Sequence, residues 1–209
     1  MAQFKADYID KELGEIGRRV GKPISIYLIG GCAMSFSGLK ESTKDVDIVF
    51  AGMDGYKVFC DALFGAQYFE PVKIVDEYAH LEAMKMFDNK DGFHLDLFVE
   101  RVVGRMKLTK TIMGRSEFYK SYGNLKVHLV SKEDIFLFKS LASGGRKRDL
   151  DDMRIIYPNL DWKAMGKELA GQKFGPALLS HVAARLEEFR STYDLDVPLL
   201  AAIRKMKKR

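Results

Sequence analysis

The sequence predicts an α+β fold: a mixed β-sheet flanked by helices, followed by a helical C-terminal part. Three observations predict it. An apolar run from Ile26 to Ile29 stops at Gly30-Gly31, continues as a short segment of helical spacing, and gives way to a second strand beginning at Asp45. Two further apolar runs, Leu81 to Phe87 and Phe93 to Val99, flank Asn89-Lys90-Asp91-Gly92, a tetrapeptide suited to a hairpin turn. Beyond Ser131 the chain reads as a succession of helices with no further strand. Residues 1–130 are therefore expected to form the sheet-bearing core with an N-terminal helix, and 131–209 a helical part that closes a cleft.

Taken in order, Phe4, Tyr8, Ile9, Leu13, Ile16 and Val20 mark an amphipathic first helix, ended by Gly21 and Pro23. After the two strands described above, Tyr56 to Phe64 reads as a helix and Val72 to Val75 as a short strand. From Arg101 to Tyr122 no period holds, and loop with irregular helix is expected. Leu125 to Val130 reads as a strand. Ser131, with acids following it, has the form of a helix cap, and that helix runs through Ala142. Pro158 ends the next helix, Asp161 caps another, Leu178 to Phe189 forms a longer one, and Leu199 to Met206 the last.

The chemistry concentrates between Ile26 and Phe50. Side chains alternate along a strand, so Asp45 and Asp47 share one face while Val46, Ile48 and Phe50 share the other. Neighbouring carboxylates oppose each other's ionisation unless a cation lies between them. Mg²⁺ suits that place, since it takes one or two carboxylates together with substrate phosphates. Gly30-Gly31 at a helix start lets backbone N–H groups approach a phosphate closely.

These residues carry a resemblance. The G-G-x-A helix followed by T-K-D-V-D-I-V, Thr43 to Val49, resembles the signature of the nucleotidyltransferase superfamily related to DNA polymerase beta. Within it, the segment looks like the minimal members grouped as AbiEii-type toxins. The resemblance implies a nucleotidyltransferase-type mixed sheet. It implies that Gly30 and Gly31 hold the triphosphate of an NTP, that Asp45 and Asp47 hold Mg²⁺, and that a third carboxylate on a later strand completes the site. Asp96 is the candidate. It interrupts an apolar run, shares a face with His94 and Phe98, and could bind the metal and accept the proton of an attacking hydroxyl. The plain alternative is an exposed acid on an edge strand. His94 reads as an ordinary flanking residue.

In the second half Lys139 rises from an apolar helical stripe, where an ammonium must snorkel or meet an anion. The resembling family has a Lys on this helix, a small-residue turn, an Arg, and then K/R-D-x-x-D. That pattern matches Lys139, Arg146, Asp149 and Asp152. By resemblance Lys139, like Thr43 and Lys44, positions nucleotide phosphates. Arg146 belongs to a basic cluster suited to triphosphate or RNA, and Asp149 orients the helix pair or the nucleotide. A helix N-cap is the other reading of Asp149. The sequence departs from the family between Gly38 and Asp45, where many members carry an Arg and this chain has Lys40, Glu41 and Ser42.

With 34 Lys and Arg against 29 Asp and Glu, the net charge is moderately positive and densest from Arg204 to Arg209, a run that can follow a phosphate backbone or be simply a solvated end. No apolar segment is long enough to span a membrane, and the N-terminus has no signal-like core, so the expected location is cytoplasmic. Cys32 and Cys60 read as free thiols. The resemblance implies transfer of a nucleoside monophosphate to an acceptor hydroxyl, with RNA, a tRNA 3′ end, as one acceptor class and a cognate antitoxin as a partner. Two alternatives stand beside it: a non-catalytic protein- or RNA-binding module on the same fold, and an enzyme that modifies a small-molecule antibiotic.

Overall fold

The computed structural model describes residues 3–71, 83–102, 105–142 and 147–208. They fall into two compact units, Met1–Ser131 and Lys132–Arg209. The first unit contains helices α1 (Ala6–Gly17), α2 (Gly30–Phe36), α3 (Met53–Gly65) and α4 (Lys110–Arg115). Its strands are β1 (Ile24–Leu28), β2 (Asp45–Phe50), β3 (Lys85–Asp88), β4 (His94–Val99), β5 (Arg101–Val102), β6 (Met106–Lys107), β7 (Glu117–Tyr122) and β8 (Leu125–Leu129).

Six of these strands form one mixed sheet in the order β3-β4-β2-β1-β8-β7. β1 runs antiparallel to β2 and parallel to β8, and β2 runs parallel to β4. The central strands are rich in Ile, Val, Leu and Phe, which pack well on a pleated surface. Ile26, Leu28, Val46, Ile48, Leu95 and Leu97 are fully buried. The predicted hairpin is present: β3 and β4 pair antiparallel, with Asp88 opposite His94. Its turn is closed by the Asn89 carboxamide, whose oxygen accepts from the backbone N–H groups of Asp91 and Phe93. The predicted strand at Val72 to Val75, and the start of the run from Leu81, lie outside the described residues.

Two polar clusters tie α1 to the sheet. At one end the Asn89 side chain donates to Tyr8 Oη and Glu12 Oε2, and Tyr68 donates to the same Glu12 oxygen. At the other, Asp10 accepts from Tyr119, Lys120 and Tyr122 of β7. The helix ends at Gly17, earlier than Gly21, and a Cβ at Gly17 would stand 2.4 Å from Tyr122 Cβ, so that position admits no side chain.

The stretch Arg101 to Tyr122 corrects the expectation of loop and irregular helix: it contains the β5–β6 pair, α4 and the edge strand β7. No side chain of β7 is buried, so neither face carries an apolar alternation for the sequence to display.

The second unit is helical: α5 (Lys132–Leu141), α6 (Lys147–Ile156), α7 (Trp162–Gly171), α8 (Pro176–Tyr193) and α9 (Leu199–Met206). The Asp161 side chain caps α7 by accepting from the Ala164 N–H at 2.9 Å. Phe136, Trp162, Tyr157 and Phe189 form a linked aromatic core. Among the described residues no helix is long and apolar enough to cross a membrane.

Candidate active site

Strand pairing sets the site. β2 and β4 lie side by side and parallel, with Asp45 opposite His94 and Asp47 opposite Asp96. Register partners on neighbouring strands project to the same side of a sheet, about 4.8 Å apart at the backbone. Asp45, Asp47, His94 and Asp96 therefore share one face, while Val46, Ile48, Leu95 and Leu97 fill the core behind them. β4 is an interior strand and Asp96 is fully buried, which removes the exposed-edge reading of that acid.

The Asp96 carboxylate is asymmetric. Its Oδ1 lies 3.1 Å from His94 Nε2, whereas Oδ2 is buried with no hydrogen-bond partner among the described residues. Burial raises the pKa of this carboxyl, Asp45 and Asp88 add to the rise, and His94 pulls the other way. His94 itself lies between two carboxylates, with Nδ1 2.5 Å from Asp88 Oδ1. Burial alone would lower its pKa, but the bonds and charges of Asp96 and Asp88 outweigh that and push it up to about 9. His94 is thus no ordinary flanking residue. Hairpin register alone pairs it with Asp88, a signal already present in the turn sequence.

The glycine turn meets this acidic face. Gly30 has φ +61°, and a Cβ there would stand 2.5 Å from Asp47 Oδ2. At Gly31 a Cβ would stand 2.6 Å from Thr43 Oγ1, with Lys40 Nζ at 3.7 Å. Both positions are closed to side chains because functional groups fill the space. The Thr43 hydroxyl donates to the Asp45 carbonyl at 3.0 Å, and the Thr43 backbone pairs with Phe4, which fixes the approach to β2. Lys44, half-buried, directly precedes Asp45. Lys40, at the position where the sequence departs from the resembling family, extends beside Gly31. Cys32, two residues after Gly30, is fully buried; burial pushes its thiol well above the ordinary range, and the charges of Asp47 and Asp45 push it further.

The donor chemistry suits a hard cation: carboxylate oxygens, one of them buried and unpartnered. Among the described residues no three acids, histidines or cysteines are gathered closely enough to hold a metal ion as they stand. A Mg²⁺ site does not require that, since one or two carboxylates suffice when substrate phosphates and water complete the shell.

The Lys139 ammonium is buried and paired with Asp149 Oδ1 at 3.0 Å and Asp152 Oδ2 at 2.7 Å. Burial opposes its charge, but the two acids outweigh that and raise its pKa. Asp149 and Asp152 of the next helix thus supply Lys139 with an anion. Arg146 lies outside the described residues.

No protein-family model matches the sequence, and no curated protein matches it. The solved structures to which the chain is similar include the following three. The lincosamide antibiotic adenylyltransferase LnuA, solved with lincomycin, is 15% identical, with 74% of this chain and 96% of that one covered and a TM-score of 0.46. JHP933 from Helicobacter pylori is 14% identical over 97% of this chain and 92% of its own, with a TM-score of 0.43. A putative nucleotidyltransferase from H. pylori is 15% identical over the same shares, with a TM-score of 0.42. Likeness at this level bears on neither the site residues nor the reaction of this chain.

Proposed function

We propose that this chain is a Mg²⁺-dependent nucleotidyltransferase that moves a nucleoside monophosphate from an NTP to an acceptor hydroxyl and releases pyrophosphate. The observation that carries the reading is the common face of Asp45, Asp47 and Asp96, with the Gly30-Gly31 turn pressed against Asp47 and Thr43. An arrangement of like charges that leaves a buried carboxylate oxygen without a partner is costly, and a cation with a bound triphosphate would relieve that cost.

Asp45 and Asp47 would hold the metal, with Asp96 completing the set. Bound there, Mg²⁺ would neutralise the phosphates and polarise the reacting phosphorus centre. Gly30 and Gly31 would admit the triphosphate against the backbone, and Lys40, Thr43 and Lys44 would line its approach. The hydroxyl oxygen forms its bond to the α-phosphorus while the bond from that phosphorus to the bridging oxygen breaks, and the electron pair leaves with pyrophosphate. The hydroxyl proton passes to Asp96, whose raised pKa suits a base. The protein's part is mainly alignment and charge neutralisation.

For the acceptor, we favour a polyanion such as a tRNA 3′ end over a cationic antibiotic. Arg204, Lys205, Lys207 and Lys208 at the end of the chain are exposed, and basic surfaces attract phosphate backbones. Calorimetry with each NTP in the presence of Mg²⁺ tests the nucleotide half of the reading. Binding of at least one NTP that disappears in Asp47→Ala is expected. No binding by the native chain would favour a non-catalytic module.

A further inference from the structure

The nucleotidyltransferase reading assigns work to three acids but none to the groups that hold the third. We propose that Asp88 and His94 act as a positioning pair that fixes the Asp96 carboxylate so that one oxygen is committed and the other is presented to metal or nucleophile. This inference rests on the proposed function and deepens it.

The geometry is continuous from backbone to carboxylate. Asp88 is anchored by a two-way backbone bridge to Phe69, with both N–H···O bonds at 2.9 Å. It is the register partner of His94 across the hairpin. The His94 ring has a carboxylate oxygen at each nitrogen, Asp88 Oδ1 at 2.5 Å and Asp96 Oδ1 at 3.1 Å, so its plane and direction are fixed from both sides. Its side chain is only 13% exposed, which leaves it little room to swing away. Asp96 Oδ2 is left as the buried, unpartnered atom.

Removing the ring would free Asp96 to rotate away from the Asp45 charge that opposes it. A carboxylate–histidine pair behind a ligand is a known way to orient first-contact groups around a metal. Asp88 and His94 touch neither substrate nor metal in this scheme and act only through Asp96.

The test uses the full chain with Mn²⁺ as the probe, in the presence of α,β-imido analogues of the four NTPs, and reads free Mn²⁺ by electron paramagnetic resonance. Transfer kinetics are measured in parallel. His94→Gln is expected to weaken Mn²⁺ binding and lower kcat by about 10–100-fold, as outer-shell changes do, while KM for the NTP stays within about 3-fold. Asp88→Asn should shift both in the same direction by less. The double variant should be no worse than His94→Gln, because the two act through one contact. Native-like Mn²⁺ affinity and kcat in His94→Gln, or losses that add in the double variant, would overturn the proposal. So would a fall in thermal midpoint with Mn²⁺ affinity intact, which marks a purely structural role. A native chain that neither binds Mn²⁺ with nucleotide nor transfers label removes the functional reading itself, and this inference with it. Failure confined to the variants removes only the inference.

Discussion

A Cβ built on Gly30 would lie 2.5 Å from Asp47 Oδ2, so the turn after β1 and the acid on β2 occupy each other's space. Gly30 also has φ +61°, a conformation that costs a residue with a side chain about 1 kcal/mol or more. Gly30→Ala is therefore expected to displace the Asp47 carboxylate, to lower stability by about 1–3 kcal/mol, and to abolish nucleotide binding. Calorimetry and thermal unfolding of the variant check both parts. Native nucleotide affinity in Gly30→Ala would show that Asp47 does not depend on this contact.

Gly17 sets two effects against each other. Alanine is the better helix former by about 1 kcal/mol, which would stabilise α1 if the position were open. It is not open: a Cβ would meet Tyr122 Cβ at 2.4 Å and the Tyr122 backbone oxygen at 2.5 Å. Backbone cannot yield as a flexible side-chain tip can, so the clash wins. Gly17→Ala should lose about 1–3 kcal/mol in denaturant unfolding, as overpacking does. A gain in stability would contradict the close approach of α1 to β7.

Lys139 carries a prediction about folding. Lys139→Met leaves Asp149 and Asp152 buried without their cation and should destabilise the protein by about 3–5 kcal/mol. Adding Asp149→Asn and Asp152→Asn should recover much of that loss, because the uncompensated charges go with them. The pH dependence follows from the sign of the shift. Lys139 holds its proton more tightly in the folded chain than in the unfolded one. Its contribution is therefore complete below the ordinary lysine value of about 10.4 and disappears as pH rises through the higher folded value. Urea unfolding between pH 9 and pH 12 (about the range in which lysine deprotonates) should show an alkaline loss of stability that Lys139→Met lacks.

Much of the site was legible because strand alternation is a strict rule. Asp45 and Asp47 on one face, and Val46 and Ile48 on the other, follow from a period of two, and the hairpin at Asn89 to Gly92 follows from its turn residues. Helical periodicity likewise placed the C-terminal helices within a few residues of Trp162–Gly171 and Leu199–Met206. What escaped depends on which partner a residue meets. The stripe position of Lys139 demanded an anion but could not say whether a phosphate or Asp149 and Asp152 would supply it. β7 was invisible because an edge strand with no buried side chain has no apolar alternation. The partners of His94 follow only when the hairpin at Asn89 to Gly92 is carried through to its register, which sets Asp88 opposite it.

Transfer of label from α-³²P-NTP in Mg²⁺, with total RNA as acceptor pool, tests the central claim most directly. The native chain should label an RNA species, and Asp47→Ala, folded to the same thermal midpoint, should label none. Equal labelling by the two proteins would contradict the account, because the carboxylate at the centre of the acidic face would then have no part in the reaction.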